Sequence, residues 1–352
     1  MRKILMVGDD PDGGTGFGLV NSHIREVIED GNADILYLCW NMANSRRVVI
    51  KNGIIQRGYF ALPPMQFVGP QIETAVNVFN PDIIIFHNDI NYLYNLLYVQ
   101  LPSFGKAFAD SFKDRKLIWV GPMDSLIATD YDKKAIDTVD YAFPYTKGGA
   151  KRLGTNPENV FRCGPSFEIK SFVRPVNDTK KFLTVGVNRE KKHQDTIIKS
   201  FLLYHEKNPN STLTVKTKVE SYFTNIIQYN QLDFIHIIDK FISDDEMREL
   251  YETHTHYICA TPNEGWGIPM TNATHYGMTI IAPDFFVHDE SSGGNYVRIP
   301  KIDIIEYDGW RHIPNHSIKS IPVLMNTDQP NYEKIDYWDD SKSRFKKAME
   351  EI

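Results

Sequence analysis

Two successive runs of apolar strands and amphipathic helices, split by a polar, proline-bearing stretch, constrain this chain of 352 residues more than any other feature. A strand buried on both faces reads as a short unbroken apolar run, because crossover helices cover both sides of a parallel sheet. In the first half such runs occur at Lys3–Val7, Asp34–Trp40, Asp82–Phe86, Leu117–Val120 and Tyr141–Phe143. Between the first two, Leu19, Val20, Ile24, Val27 and Ile28 recur at helical spacing, which predicts a helix over 17–30 with Gly31 as its stop. Asn52-Gly53 between apolar pairs in Val48–Ile55 predicts a hairpin at the sheet edge. The second half restarts with strands at Phe182–Val187, Thr212–Lys216, Phe234–Ile238 and Tyr257–Ala260. Helices over 195–205 and 222–231 intervene, and Ser243 with Glu246 forms a capping box for another. The break runs from Pro165-Ser166-Phe167 through Arg174 to Asp178, and the linker is placed there. The pattern predicts an α/β protein of two Rossmann-like domains.

Size and composition fit that plan. The length leaves room for about two domains. With 42% hydrophobic and 24% charged residues, the composition is that of a water-soluble globular protein. No apolar run approaches the roughly 20 residues that span a bilayer. The basic start Met1-Arg2-Lys3 leads into an apolar run too short for a signal peptide, so Ile4–Val7 reads as a first strand. Cys39, Cys163 and Cys259 lie far apart, with neither a disulfide framework nor a zinc pattern, and a reducing cytoplasm is the expected setting. A net charge of −6 gives no general support to nucleic-acid binding.

The chemistry concentrates after Tyr257–Ala260. There Glu264-Gly265-Trp266-Gly267-Ile268-Pro269 precedes Met270-Thr271-Asn272-Ala273 and the further apolar run Thr279–Pro283. This predicts a strand, a glycine-rich turn with one carboxylate, a helix start and another strand. Free N–H groups at a helix start attract anions, and the carboxylate adds an acceptor for hydroxyl groups. Phosphate on one side and hydroxyls on the other suit a nucleotide-sugar.

The segment resembles the donor-binding signature of retaining GT-B glycosyltransferases, Glu-Gly-Phe-Gly-Leu-Pro followed by a second Glu eight positions after the first. Glu264, Gly265, Gly267, Pro269, Ala273 and Gly277 match, with Trp266 and Ile268 at the neighbouring apolar positions; Asn272 stands where the second Glu belongs. The resemblance implies a GT-B architecture, two Rossmann-like domains facing a central cleft. It implies that Glu264 contacts the sugar and that position 272 contacts the ribose, which Asn272 serves with one donor and one acceptor group. The expected domains are 1–170 on the acceptor side and 178–335 for the donor. A helix within 336–352 is expected to cross back to the first.

Other loops fill out this expected site. Gly13-Gly14-Thr15-Gly16-Phe17-Gly18 follows the first strand and opens a helix, and the resemblance puts Gly14, Thr15 and Gly16 against the donor. It is not a dinucleotide fingerprint, since the glycine spacing differs and no acidic residue ends the second strand at Trp40. After the first strand of the second half, the resemblance implies that Arg189 and one of Lys191 or Lys192, with Lys192 preferred on spacing, hold the diphosphate, where cations stabilise charge developing in the transition state. Phe241 is expected at the nucleobase, with simple core packing as the alternative. Strand ends supply Asp124 and His87 as candidates nearest the reacting sugar, in that order, each with a structural role as its alternative. Asp130-Tyr131-Asp132 spells a carboxylate pair of the kind that binds metal in GT-A transferases, but its setting among Thr129, Lys133 and Lys134 reads as a solvated helix start. His254 and His256 lack a third ligand nearby and read as structural.

The leading expectation is a retaining, metal-independent, cytoplasmic GT-B glycosyltransferase that needs no cofactor and uses a UDP- or GDP-linked sugar. Its acceptor is not readable; a small molecule, glycan or lipid is favoured. DNA with a hydroxymethylated base is an alternative, motivated by Arg46, Arg47, Lys51 and Arg57 around the hairpin. A non-catalytic nucleotide-sugar-binding protein is the rival from another class, motivated by Asn272. A nicotinamide dehydrogenase ranks third.

Overall fold

The computed structural model describes every residue except 1, 30–32, 43–45, 52–53, 63–67, 100–113, 171, 173–178, 219–223, 308–310 and 331–333. Gly31, Asn52-Gly53 and half of the expected linker therefore lie outside the described residues. The chain forms two compact units, one of residues 1–123, 127–163 and 337–352, the other of residues 124–126 and 164–336.

The first unit contains β1 (Arg2–Asp9), α1 (Gly16–Glu29), β2 (Ala33–Trp40), β3 (Arg46–Lys51), β4 (Ile54–Ala61), α2 (Gly69–Phe79), β5 (Ile83–His87), α3 (Ile90–Tyr98), β6 (Lys116–Gly121), α4 (Asp130–Ile136), β7 (Tyr141–Pro144) and α5 (Lys147–Leu153). Its sheet runs β3-β4-β2-β1-β5-β6-β7. All pairings are parallel except β3 with β4, so the hairpin sits at the edge and carries Arg46, Arg47, Lys51 and Arg57. The alternation of β1 shows why a continuous apolar run is needed. Leu5 and Val7 enter the core built with Ile72, Val76, Leu93 and Leu97 of α2 and α3, while Ile4 and Met6 are buried on the opposite face.

The second unit contains β8 (Lys181–Val185), α6 (Gln194–His205), β9 (Thr212–Lys216), β10 (Ile235–Ile238), α7 (Asp244–Thr253), β11 (His256–Ile258), α8 (Ile268–His275), β12 (Thr279–Pro283), α9 (Phe286–Ser291), β13 (Val297–Ile299), β14 (Lys301–Tyr307), β15 (Arg311–His316) and α10 (Ile321–Leu324). Its six-stranded parallel sheet runs β10-β9-β8-β11-β12-β13, the order of a Rossmann fold. Ile197, Ile198 and Phe201 of α6 pack on one face. Tyr251 of α7 with Met270 and Ala273 of α8 packs on the other. The Ser243–Glu246 capping box is present at α7. The helix expected over 222–231 is instead a 3₁₀ helix over Thr224–Gln231. Its run Thr-Asn-Ile-Ile is poor in strong α-helix formers.

The chain ends in α11 (Trp338–Glu351), which belongs to the first unit. Its Phe345 is fully buried between Phe143 at 5.2 Å and Phe161 at 5.8 Å. Trp338 stacks on His23 of α1 at 4.0 Å, and Ser341 Oγ donates to the Arg162 carbonyl at 2.8 Å.

Candidate active site

In the second unit the chain passes from β8 to β9 on one side of the sheet and from β11 to β12 on the other. The loops after β8 and β11 therefore splay apart at a topological switch point, where open α/β sheets bind ligands. The loop after β8 carries Arg189 and Lys192; the turn after β11 carries Glu264. Lys192 Nζ donates to Glu264 Oε1 in an ion pair whose side chains are 21% and 19% exposed. Burial disfavours both charges, yet mutual attraction outweighs it. The Lys192 ammonium is held above its ordinary range, and the Glu264 carboxyl below its own. Lys191 adds to the positive field on Glu264, and Arg189 is near enough to oppose the charge on Lys192. The cationic loop thus converges on one carboxylate. It is braced from behind, where Gln194 Nε2 donates to the Gly186 carbonyl at 2.8 Å and Gln194 Oε1 accepts from Thr217 Oγ1 at 3.1 Å.

The turn carrying Glu264 is held by its neighbours. Asn263 is fully buried and donates to Asp124 Oδ2 at 3.3 Å, so Asp124 stands one residue from the candidate sugar-binding carboxylate. Gly267 adopts φ 87°, which a side chain resists, and caps α8 without any side-chain hydrogen bond. The start of α8 therefore keeps donor capacity for an anion beside Gly265 and Ile268. Trp266 is turned into the protein. It is 3% exposed, and its Nε1 donates to Thr271 Oγ1 at 2.9 Å, which in turn donates to the Ser291 carbonyl at 3.1 Å. The indole clamps the turn onto α9.

Asn272, expected at the ribose, is turned inward. It is 2% exposed, accepts from Ser166 N at 3.0 Å and donates to Ser166 Oγ at 2.8 Å. Its amide ties α8 to the start of the interdomain stretch. Phe241 lies at the other extreme, 93% exposed just past β10, which excludes the core-packing alternative for it.

The first unit repeats the geometry around its own switch point between β1 and β5. Gly14 has φ 67°, and Thr15 Oγ1 donates to Asp9 Oδ2 at 2.7 Å while accepting from Gly18 N at 2.9 Å. Asn41 Nδ2 donates to the same Asp9 oxygen at 2.9 Å, so the glycine-rich loop before Gly16 is anchored rather than loose. His87 ends β5 but is fully buried. Its Nε2 pairs with Tyr145 Oη, the Phe17 ring packs on it edge-on at 5.0 Å, and burial pulls its pKa down to about 3. It is a neutral ring inside the wall of this loop.

Three of the remaining candidates hold the scaffold. Asp132 accepts from Thr129 N and Oγ1, both at 2.8 Å, as the capping box of α4. His254 Nε2 lies 2.7 Å from Thr214 Oγ1, and His256 Nε2 lies 2.9 Å from the Thr327 carbonyl. No group of three or more metal-ligating side chains occurs among the described residues. No described helix is long and apolar enough to cross a membrane. The sequence reading missed Asn263, the Asp9–Thr15–Asn41 anchor and His288 of α9. His288 is fully buried and close enough for Glu264 and Lys192 to act on its pKa. Nothing in the local pattern marks His288, because its tie to Glu264 arises only when α9 packs beside α8.

Residues 166–292 match the family model of glycosyl transferases group 1, a span that includes Lys192, Glu264 and His288. No curated protein matches the chain by sequence. Among solved structures, the Burkholderia multivorans alpha,alpha-trehalose 6-phosphate synthase superposes with a TM-score of 0.64 at 7% identity, over 99% of this chain and 95% of that one. The E. coli trehalose-6-phosphate structure bound with UDP-2-fluoro glucose gives 0.62 at 10% identity, over 99% and 96%. A Listeria monocytogenes protein described as a UDP-N-acetylglucosamine 2-epimerase gives 0.56 at 14% identity, over 100% and 97%. At these identities the likeness establishes the fold. The chain thus has the GT-B fold of these structures, and its residues 166–292 match the glycosyl transferases group 1 model.

Proposed function

We propose that the protein transfers a sugar from a UDP- or GDP-linked donor to an acceptor hydroxyl, with retention at the anomeric carbon and without a metal ion. The observation that carries this reading is the Lys192–Glu264 pair at the switch point of the matched domain. On donor binding, Lys192 and Arg189 turn to the diphosphate, and Glu264 accepts from sugar hydroxyls. The bond from the anomeric carbon to the β-phosphate oxygen breaks, and a bond to the acceptor oxygen forms on the same face. The acceptor proton passes to the leaving phosphate. Cations fixed at the diphosphate stabilise the charge that develops there. Phe241, exposed past β10, is offered to the nucleobase. A small molecule, glycan or lipid is the favoured acceptor class.

Asn272 supports a second reading, a protein that binds nucleotide-sugars without transferring them, because its amide is spent on Ser166. One experiment separates the two. Thermal shifts with UDP-glucose, GDP-mannose and related donors, with and without EDTA, identify the donor, since a ligand of the native state raises the melting temperature. Release of UDP or GDP from the stabilising donor then establishes chemistry. Stabilisation without release establishes a binding protein, and loss of the shift in EDTA overturns metal independence.

A further inference from the structure

Two buried polar atoms on α9, His288 Nε2 and Ser291 Oγ, have no hydrogen-bond partner among the described residues. Both residues are fully buried. They are one turn apart on the same helix, hence on one face of it. That face meets the signature turn. Ser291 Oγ lies 3.7 Å from the point where a Cβ on Gly267 would stand, and His288 lies within the electrostatic reach of Glu264 and Lys192. The tautomer of His288 is set by its other nitrogen. Nδ1 is 2.8 Å from the Pro283 carbonyl, which can only accept, so the proton sits on Nδ1 and Nε2 presents a lone pair. Burial keeps the ring neutral, with its pKa lowered to about 4.

An acceptor buried without a partner is costly, and native proteins rarely keep one for packing alone. Resting on the donor reading above, we infer that His288 is a donor-specificity residue whose Nε2 accepts a hydrogen bond from a sugar hydroxyl next to the one held by Glu264, with Ser291 Oγ in the same wall. Lys192 and Glu264 satisfy each other in this structure. When Lys192 turns to the diphosphate, Glu264 is released and the hydroxyl reaches His288. A wall of one carboxylate and one imidazole lone pair favours a neutral sugar with adjacent free hydroxyls. It disfavours a uronate, whose carboxylate would face Glu264.

The test compares Kd by calorimetry for UDP and UDP-glucose, and for GDP and GDP-mannose, in wild type, His288→Asn, His288→Gln and Ser291→Ala. Asn keeps a donor near the Nδ1 position for Pro283 but lacks the Nε2 acceptor, whereas Gln can present one. The expected result is a selective loss: His288→Asn weakens the nucleotide-sugar about tenfold, leaves the nucleoside diphosphate within about twofold, and Gln restores most of the difference. Wild-type affinity in His288→Asn overturns the inference, as does equal loss of nucleotide and nucleotide-sugar, which marks a purely structural role. Should His288→Asn fail to fold, Ser291→Ala decides. A selective loss of about threefold for the nucleotide-sugar supports the wall, and no change overturns it. Wild type that binds no nucleotide-sugar overturns the donor reading itself, and this inference with it.

Discussion

Lys192 and Glu264 are 72 positions apart in the chain and bonded in the fold. They meet because β8 and β11 are neighbours with their connections running opposite ways, so the loops at their carboxyl ends face one another. A carboxylate and an ammonium held together in a partly covered site are groups that a diphosphate and a sugar hydroxyl can later claim separately.

Removing one partner strands the other. Lys192→Met and Glu264→Gln are each expected to destabilise the second unit by about 1–3 kcal/mol, and the double variant by less than the sum. The pH dependence follows from the directions of the shifts. Glu264 titrates below its ordinary 4.5, so its share of stability is present above 4.5 and is lost as the pH falls through the lowered value. Lys192 titrates above its ordinary 10.5, so its share is present below 10.5 and is lost as the pH rises through the raised value. Urea unfolding should show a wild-type-to-Glu264→Gln difference that is flat from about pH 5 to 10 and shrinks in acid. A difference independent of pH down to 3 would show that the pair carries no net electrostatic stabilisation.

His87 tests the opposite case, a titratable ring with no charged partner. Its pKa falls from 6.5 to about 3 on burial. Its contribution is therefore present above 6.5 and is lost as the pH falls from 6.5 toward 3, because the unfolded chain takes up a proton that the native ring refuses. Between those limits His87→Gln should flatten the acid decline of the first unit by up to about 1.4 kcal/mol per pH unit. A histidine resonance in the folded protein that titrates near pH 6.5 and vanishes in His87→Gln would contradict the burial described above.

The alternation of strands and helices was legible because burial on both faces of a parallel sheet leaves a continuous apolar run that few other environments produce. The glycines of the signature were legible for a similar local reason, since Gly267 needs a positive φ that other residues resist. Partners are non-local, and here the reading was weaker. Nothing near Asn272 in the chain announces Ser166, 106 positions away, and nothing near Glu264 announces His288. Trp266 and Phe241 show the same limit. Both are aromatic residues in loops that follow strands, yet one is clamped inside the turn and the other stands in solvent, and only packing distinguishes them.

The terminal helix should be a structural part of the first unit. Phe345 is fully buried against Phe143 and Phe161, so Phe345→Ala is expected to cost about 3–5 kcal/mol through lost burial and a residual cavity. Hydrogen exchange should accelerate in α1, β7 and α11, while β8 to β13 stay protected. Uniform acceleration in both units would mean that they unfold as one.

Asn272 offers the sharpest contrast between resemblance and geometry. In the signature this position carries a Glu that usually reaches the ribose, so restoring it by Asn272→Glu should, on resemblance alone, tighten nucleotide binding. The structure argues the reverse. The site is 2% exposed, and the Asn272 amide both donates to and accepts from Ser166. A carboxylate there cannot donate to Ser166 Oγ, and its charge would be buried without a cation bonded to it. Asn272→Glu is therefore expected to destabilise the second unit by about 2–3 kcal/mol and to leave UDP or GDP affinity unchanged or weaker. Ser166→Ala, which removes only the hydroxyl that Asn272 donates to, should cost about 1 kcal/mol and leave nucleotide affinity intact. Tighter nucleotide binding by Asn272→Glu at wild-type stability would instead place position 272 at the ribose and overturn this reading of its bonds to Ser166.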